Sequence, residues 1–431
     1  MTVGPRVTSL RAAVPVASRP GWLGQWPPAF RRVLVYALIS SAGWLAFDGF
    51  LTPYLRATGV PVVTIGLFHG LSAAVGAPGA AAGGFVADRW GRRTGLLLGG
   101  VLRILGWALI LARPGTTYLV AVAALTGMGW AASSAYLALV AEVAPQGRRA
   151  SAYAASMIVE NLMAMAVPLV TGFLADTYGL RVALSMALFP AALALLVIRW
   201  LPETAGPGAR RAAATAAGIT APEASPGMGA GLSFLLSPAG RGALTMGLIW
   251  MMTGFQFGLM GPVRPLYVVD RFGVSYAGLG VVTMLGSLGM LAGTAIGGRV
   301  ADRVGQSRLM MVCLAASAAL YAIIPLASAA PLYAGLLVIA NTVAYTAAPC
   351  WGAVGANSAP RRIRGSVSGL FIALRAVGGT AGGLLSGVVY SYAITMPFYV
   401  TAGSELTMLL LVLLGASRAW PGFGRGMVHQ D

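Results

Sequence analysis

The chain has 431 residues, of which 58% are hydrophobic and only 9% are charged. The mean hydropathy of +0.79 and the long apolar runs exclude an ordinary soluble domain and indicate a protein that crosses a membrane. All 29 basic residues are arginine, and the net charge is +18. These arginines are scattered over many short segments, which argues against a nucleic-acid-binding surface.

In chain order, residues 1–30 contain several prolines and no continuous apolar run. We therefore predict a cytoplasmic tail there and no cleaved signal peptide. Apolar segments long enough to cross a bilayer follow this tail, and we expect each of them to be helical. The twelve predicted spans are 33–54, 61–87, 95–112, 117–141, 151–175, 180–198, 242–268, 274–298, 309–327, 331–356, 365–389 and 395–416.

The distribution of arginine along the chain predicts its orientation. If the N-terminus is cytoplasmic, most arginines fall in cytoplasmic segments, and the external loops hold Arg56, Arg113, Arg181 and Arg271. This is the positive-inside pattern, and the cytoplasmic arginines would also contact anionic lipid. The sequence thus predicts a multi-pass protein of the cell membrane with both termini in the cytoplasm.

A stretch rich in Pro, Ala, Gly and Ser separates the sixth predicted span from the seventh. This composition is typical of a flexible linker, and its Ala-rich middle predicts a short interfacial helix. We therefore expect a six-helix N-terminal bundle at 31–200, a cytoplasmic linker at 201–240, a six-helix C-terminal bundle at 241–418 and a cytoplasmic tail at 419–431.

A charged loop motif recurs in both halves of the chain, so that Asp88 matches Asp302. The matching stretches are GGFVADRWGRRTG (83–95) with GGRVADRVGQSR (297–308), and EVAPQGRRAS (142–151) with NSAPRRIRGS (357–366), with a weaker echo in GFLADTYG (172–179). This pattern indicates three-helix repeats within each half. Many secondary transporters are built in this way, with a cavity between the halves.

The loop motif after span two, the E-x-x-P-x-x-x-R stretch after span four and the arrangement of six plus six spans resemble the major facilitator superfamily, in particular its drug/proton antiporter-like members. The resemblance covers about residues 30–418. It implies an all-α integral membrane fold of 12 transmembrane helices in two pseudo-symmetric six-helix bundles. The two bundles would rock around a cavity near the middle of the membrane.

In that family the loop motif forms a cytoplasmic gate between the halves. The gate residues implied here are Gly84, Asp88, Arg89, Gly91, Arg92, Arg93, Glu142, Arg149, Gly298, Asp302, Arg303 and Gly305. The second copy has Gln306 and Ser307 in place of two arginines, so we expect its part of the gate to be weaker. Arg89 and Arg93 can equally be topology signals alone.

Ionisable side chains inside predicted spans are costly, which makes them candidates for function. The repeat places Glu160 and Arg375 at equivalent positions, each about 16 Å into its helix, near the middle of a ~30 Å hydrocarbon core. Together with Asp48 in span one, they are the predicted proton- and substrate-coupling residues. A static ion pair between Glu160 and Arg375 and a pairing of Asp48 with Arg375 or Arg56 remain alternatives.

Aromatic and amide side chains on spans one, four, seven and ten predict a cavity wall that suits amphipathic organic solutes. The predicted wall residues are Arg264, Trp44, Tyr136, Trp250, Gln256, Asn341 and Tyr345. Arg264 can also lie at the external end of its span and snorkel to the interface, and Trp130 and Trp351 can be interfacial anchors. Arg103, His69 and Glu405 are interpreted as packing residues.

The predicted function is secondary active transport of a small organic solute by alternating access, as proton-coupled efflux of an amphipathic compound or drug. In the family, a Gly- and Pro-containing signature of span five marks antiporters. Here VPLVTG (167–172) keeps Pro168 and Gly172 but has Val167 and Thr171 in place of glycines, so support for export is partial. The alternatives are proton symport or facilitated uptake of an anionic metabolite and, in another class, a non-transporting receptor or scaffold.

No enzyme is expected, because the sequence lacks Ser/His/Asp, HExxH and phosphate-loop constellations. The predicted energy source is a proton gradient, with no cofactor and no metal site. Cys313 and Cys350 are expected to be buried thiols without a disulfide. The expected partners are a small-molecule substrate, protons and membrane lipids, without nucleic acid, and the chain is expected to be a monomer.

Overall fold

The computed structural model describes residues 22–112, 115–145, 148–205, 228–360 and 363–418, and this part of the chain contains helices and no β-strand. The all-α fold predicted from the sequence is confirmed. The helices are α1 (Pro28–Ala57), α2 (Val62–Trp90), α3 (Arg92–Ala112), α4 (Thr116–Met128), α5 (Ala131–Val143), α6 (Arg149–Tyr178), α7 (Leu180–Ile198), α8 (Met228–Leu236), α9 (Arg241–Phe272), α10 (Tyr276–Val304), α11 (Gln306–Ile323), α12 (Ala330–Thr346), α13 (Ala348–Asn357), α14 (Arg364–Tyr392) and α15 (Met396–Arg418).

Within the described residues, 12 segments are long and apolar enough to cross a membrane, in the order that the sequence predicts. Helix α7 occupies the predicted range 180–198. Two spans consist of two helices each, with α4 and α5 joined at Gly129 and Trp130, and α12 and α13 joined at Ala347. Several helices run beyond their predicted ends. The predicted spans end where hydropathy falls at the first charged residue, but the backbone can stay helical past that residue, as far as Trp90 in α2.

Three glycines with positive φ end the helices that carry the recurring motif. Helix α2 ends at Gly91 (φ 107°), α6 at Gly179 (φ 86°) and α10 at Gly305 (φ 91°). Glycine adopts this conformation without the steric cost that a Cβ atom would add. The repeat seen in the sequence therefore recurs as a shared backbone turn, after which the next helix begins at once.

The two halves of the chain, α1–α7 and α8–α15, meet mainly through α2 against α14 and α6 against α10. Glycines allow this close approach, as small residues do between membrane helices. A Cβ atom on Gly66 would lie 2.6 Å from the backbone nitrogen of Gly387, and one on Gly172 would overlap the carbonyl oxygen of Tyr276. These contacts lie at the end of the bundle opposite the loop at 89–93. We call that end the far face and the end with the 89–93 loop the loop face.

At the loop face the described parts of the two halves stand apart. A Cβ atom built on Gly84 would contact only Ser134 of its own half, and one on Gly298 or Gly369 would have no described atom within 4 Å. Phe85, on the last turns of α2, is 62% exposed. The halves are therefore joined at the far face and separated at the loop face, which leaves the space between them open toward the loop face.

The first bundle extends beyond the predicted range 31–200. Trp26 is 3% exposed, its ring lies 4.7 Å from that of Phe30, and Leu201 is buried in the same cluster. These side chains belong to the core, so the predicted N-terminal tail and linker are each shorter than expected. Most of the remaining tail and linker, including the predicted interfacial helix and residues 419–431, lies outside the described residues.

Candidate functional site

A cavity of about 670 Å³ lies mainly within the second half of the chain, and its volume is typical of a small-molecule site. Its wall comes from α9 to α15, with Trp351 on α13, and the first half contributes Gly49 and Met157. The wall is largely apolar and aromatic. The predicted site residues that line it are Trp250, Gln256, Arg264, Asn341, Tyr345 and Arg375.

Two arginines, Arg264 on α9 and Arg375 on α14, line this cavity. The Arg375 guanidinium carbon lies 5.0 Å from the ring centroid of Phe257 and 5.9 Å from that of Trp250, within cation–π range. The Nε atom of Arg264 is buried and has no hydrogen-bond partner among the described atoms. Neither arginine has a described carboxylate within 4 Å, so the cavity carries two positive charges that no described ion pair neutralises.

Glu405 on α15 also lines the cavity and is only 6% exposed. Its neighbour Ser404 accepts a 2.6 Å hydrogen bond from Nε2 of Gln256. Tyr321 on α11 is close enough to interact electrostatically with both Glu405 and Arg264. The sequence analysis interpreted Glu405 as a packing residue, although an acid inside a predicted span was a signal that favoured a functional role.

The other predicted wall residues have different surroundings. Asn341 is buried, and its Nδ2 donates a 2.9 Å hydrogen bond to the carbonyl oxygen of Gly286, which ties α12 to α10. Trp44 and Tyr136 belong to the first half and are absent from the described wall of this cavity. Trp44 is 42% exposed, and the ring of Tyr136 lies 6.0 Å from that of Tyr36.

The structure does not bring together the two acids and the arginine predicted to couple proton and substrate. Arg375 lies in the second-half cavity, whereas Asp48 and Glu160 are absent from its described wall. Asp48 interacts electrostatically with Arg103, and Glu160 lies beside Tyr136. No described ion pair joins Glu160 to Arg375. Equivalent positions in the repeat therefore do not make these side chains neighbours.

At the loop face, Arg92 is the centre of an ion-pair cluster. Its guanidinium donates to Asp88 Oδ1 at 2.7 Å and to both carboxylate oxygens of Glu142, at 2.6 and 3.1 Å. All three residues belong to the first half, so in this conformation the predicted gate motif is held within its own bundle. Arg93 donates instead to the carbonyl oxygen of Leu201, and Arg89 stacks on Trp90.

Glu203 completes this cluster and was not singled out by the sequence analysis. Its carboxylate accepts hydrogen bonds from the backbone nitrogens of Arg92 (2.6 Å) and Arg93 (3.1 Å), so it caps the first turn of α3. A Cβ atom on Gly91 would lie 2.7 Å from its Oε2 atom. Glu203 follows the last span of the first half directly, and its place beside the loop depends on how α7 packs.

At the far face, Asp176 makes a contact between the halves that the sequence analysis also missed. Its two carboxylate oxygens accept 2.8 Å hydrogen bonds from the backbone nitrogens of Tyr276 and Ala277, at the N-terminus of α10. A helix N-terminus favours such a negative group. The signal was the echo GFLADTYG, in which Asp176 occupies the place of Asp88.

The second copy of the gate motif ends α10 with the turn at Gly305. Asp302 and Arg303 are exposed and belong to none of the described ion pairs. The side chain of Arg149, a predicted gate residue at the start of α6, lies outside the described part of the structure.

A family model described as Major Facilitator Superfamily matches residues 33–383 and 246–427. The chain belongs to the Major Facilitator Superfamily. Over 172 residues it is 27% identical to the uncharacterized MFS-type transporter YttB of Bacillus subtilis (strain 168). That match covers 40% of this chain and 43% of YttB, so it spans less than half of the relative's length.

Solved transporters share the fold of this superfamily member. The nucleoside transporter NupG has 14% identity and a TM-score of 0.73, with 90% of this chain and 99% of NupG covered. The human organic anion transporter MFSD10 has 21% identity and a TM-score of 0.62, with 90% and 100% covered. A POT family transporter in complex with 5-aminolevulinic acid has 13% identity and a TM-score of 0.72, with 93% and 98% covered. At these identities the likeness concerns the fold alone.

Membership of the superfamily and the 12 apolar spans of the described residues identify the chain as a multi-pass membrane protein of a transporter family. The predicted resemblance to the major facilitator superfamily is confirmed. The structural neighbours include a nucleoside transporter, a peptide transporter and an organic anion transporter, so the substrate class has to be argued from the cavity of this chain.

Proposed function

We propose that this transporter moves an amphipathic organic anion together with a proton through the cavity of its second half. The observation that carries the proposal is the pair Arg264 and Arg375, which line a largely apolar cavity without a described ion-pair partner. An anionic group of the solute would supply the negative charge that the wall of the cavity lacks near these two side chains.

The chemistry of the guanidinium group supports an anion over a cation or a neutral solute. Arginine presents a planar fork of donors that matches carboxylate, sulfonate and phosphate groups, and such charge-assisted hydrogen bonds are strong. Two positive charges beside low-dielectric walls attract anions and repel cations. The aromatic side chains of Trp250 and Phe257 are then available for the apolar body of the solute.

Export of an amphipathic compound in exchange for protons is the second candidate, because Pro168 and Gly172 match part of an antiporter signature. In the structure both residues lie where α6 packs against α10: a Cβ atom on Gly280 would overlap the carbonyl oxygen of Pro168, and one on Gly172 would overlap that of Tyr276. Such packing serves an exporter and an importer alike. The charge of the cavity therefore has more weight than the signature in this proposal.

Alternating access follows from the two faces of the bundle. We assign the loop face to the cytoplasm of the cell on the arginine distribution, so the described conformation opens inward. The far-face contacts of Asp176 and the glycines would separate when the outside opens. The motif around Asp88, now held within the first half by Arg92, would contact the second half in that other state. A solute that binds the two states unequally shifts their populations.

The test uses the full chain purified into lipid vesicles and three probes that share a naphthalene body: 2-naphthalenesulfonate, neutral 2-naphthalenesulfonamide and the cationic naphthyltrimethylammonium. The sulfonate and the ammonium ion keep their charge at all working pH values, so neither crosses lipid as a neutral weak acid. A proton gradient is imposed, and probe uptake and internal pH are recorded together. Arg264→Gln and Arg375→Gln are compared with Arg241→Gln, an exposed arginine at the start of the same helix as Arg264.

We expect the sulfonate to accumulate inside the vesicles while protons move in the same direction. This accumulation should be lost in both cavity variants and should be unchanged in Arg241→Gln. Movement of sulfonate against protons would support the export candidate. Selective transport of the ammonium probe would overturn the anion proposal. Absence of transport for all three probes would favour the receptor or scaffold alternative.

A further inference from the structure

We infer that Glu405 is the group that carries the coupled proton. The inference rests on the function proposed above, because it assigns the proton site of that same cavity. Glu405 is 6% exposed and shares the cavity wall with both arginines. It thus combines two features that a coupling acid needs: access to the substrate space and shielding from bulk water.

The groups that face Glu405 come from each helix packed against α15. They are Cys313 and Tyr321 on α11, Gln256 and Arg264 on α9, and Arg375 on α14. Neither arginine is within 4 Å of the carboxylate in the described structure. The near neighbours are neutral, with Gln256 fixed beside Glu405 by its 2.6 Å hydrogen bond to Ser404. A buried carboxylate without a cationic contact is costly, and binding a proton removes that cost.

Tyr321 provides the link between the proton site and the anion site, because it interacts with both Glu405 and Arg264. Arg264 and Glu405 line the same cavity, and a positive charge in a shared cavity favours the ionised form of a carboxyl group. An anion bound to Arg264 cancels that positive charge and favours the protonated form. Proton and anion therefore strengthen each other's binding, and this coupling is reciprocal. A positive coupling of this kind is what cotransport in one direction requires.

The acids predicted from the sequence lack this arrangement. Asp48 interacts with Arg103 in the first half, and Glu160 lies beside Tyr136. Both are absent from the described wall that holds Arg264 and Arg375. Of these three acids, Glu405 is the one that lines the described wall where the anion would bind, and electrostatic coupling weakens with distance.

The first experiment needs no substrate. Infrared difference spectra of the reconstituted full chain are recorded while the pH is raised, for wild type, Glu405→Gln and Glu405→Asp. We expect a protonated carboxyl band that disappears as the pH rises, shifts in D₂O, is absent in Glu405→Gln and returns, displaced, in Glu405→Asp. If wild type and Glu405→Gln show the same protonated carboxyl bands at every pH, the inference is overturned.

The second experiment measures binding of 2-naphthalenesulfonate and its accumulation in vesicles. Wild-type affinity should fall by up to about tenfold per pH unit above the titration of Glu405, the limit for linkage to one proton. Glu405→Gln resembles the protonated form, so its affinity should be high and independent of pH. It should still exchange probe across the membrane but lose proton-driven accumulation, whereas Glu405→Asp should keep it.

The two proposals fail in different ways. If wild type does not bind the sulfonate, the proposed function fails, and the infrared band still decides whether Glu405 holds a proton. If wild type accumulates the sulfonate and Glu405→Gln does so equally, the proposed function stands and this inference is overturned. Loss of coupling in Asp48→Asn or Glu160→Gln, with coupling kept in Glu405→Gln, would likewise move the proton site to the first half.

Discussion

The carboxylate of Asp176, at the end of α6, accepts a 2.8 Å hydrogen bond from the backbone nitrogen of Tyr276, at the start of α10 in the other half. Asp88 holds the equivalent place in its own motif, yet it pairs with Arg92 of the same half. The same short motif is therefore engaged between the halves at the far face and held within one half at the loop face. This asymmetry is the one expected of a transporter captured with its far face closed.

Removing the far-face contact should shift the transporter toward the state in which that face is open. Asp176→Ala leaves two amide groups at the N-terminus of α10 without their acceptor. The loss of a helix cap costs about 0.5–2 kcal/mol, so the open population should rise several-fold. Spin labels at Tyr178 and Tyr392, which are exposed far-face residues of opposite halves, should show a larger fraction of long distances.

The matched control for that variant is Asp270→Ala. Asp270 accepts a 2.9 Å hydrogen bond from the hydroxyl of Tyr390, and both residues belong to the second half. Its removal should leave the distance distribution unchanged. Equal distributions for Asp176→Ala and wild type would show that the contact does not hold the far face closed.

Close helix packing should hold the same face together independently of the charge. Gly172→Ala places a Cβ atom on the carbonyl oxygen of Tyr276, so α6 and α10 must move apart. Overpacking of this kind costs about 1–3 kcal/mol, and we expect the same lengthening between the labels. Gly403→Ala is the control, because its added methyl group meets no described atom within 4 Å. A Gly172→Ala protein with wild-type distances would contradict this prediction.

The loop-face cluster predicts a stability difference between neighbouring arginines. Arg92→Gln removes the fork to Asp88 and Glu142, and because the partners are partly exposed we expect a loss of about 1 kcal/mol. Arg89→Gln, which loses only the stacking on Trp90, should have a smaller effect. Thermal unfolding of the purified chain, followed by tryptophan fluorescence, measures both.

A double-mutant cycle checks that the Arg92 effect comes from the ion pair. Glu142→Gln and Arg92→Gln should be less than additive when combined, because each removes the same contact. Fully additive losses would mean that the two residues act on stability independently.

The sequence predicts the parts of this structure that depend on local properties. Hydropathy locates α7 at 180–198 because a span must be apolar along its whole length. The recurring motif predicts a similar loop after α2 and after α10, and in the structure both helices end at a glycine with positive φ, Gly91 and Gly305. These features require no knowledge of how the helices pack.

The interior of the cavity was less accessible from the sequence, because it depends on the rotation of each helix about its own axis. Symmetry gave Glu160 and Arg375 equivalent positions, but only Arg375 lines the described cavity. Glu405, which the sequence analysis interpreted as a packing residue, faces the same space as Arg375. A turn of 100° per residue moves a side chain from one neighbour to another, and packing alone fixes that angle.

The charge and the planar shape of the Arg375 guanidinium should each contribute to anion binding. Arg375→Lys keeps the charge but loses the planar fork and its stacking between Phe257 and Trp250. We expect its affinity for 2-naphthalenesulfonate to fall by roughly tenfold, and that of Arg375→Gln by roughly 10- to 100-fold, as for hydrogen bonds to a charged group. Fluorescence quenching of the purified chain measures both.

The combination with Arg264→Gln decides whether one anionic group contacts both side chains. If Arg264 and Arg375 bind the same sulfonate, the double variant should lose less affinity than the two single losses together predict, because either substitution already weakens the other contact. Additive losses would place two separate anionic groups, or one anion and one other polar group, in the cavity. An affinity that neither substitution changes would mean that the sulfonate binds elsewhere, and the assignment of this cavity as the anion site would then be wrong.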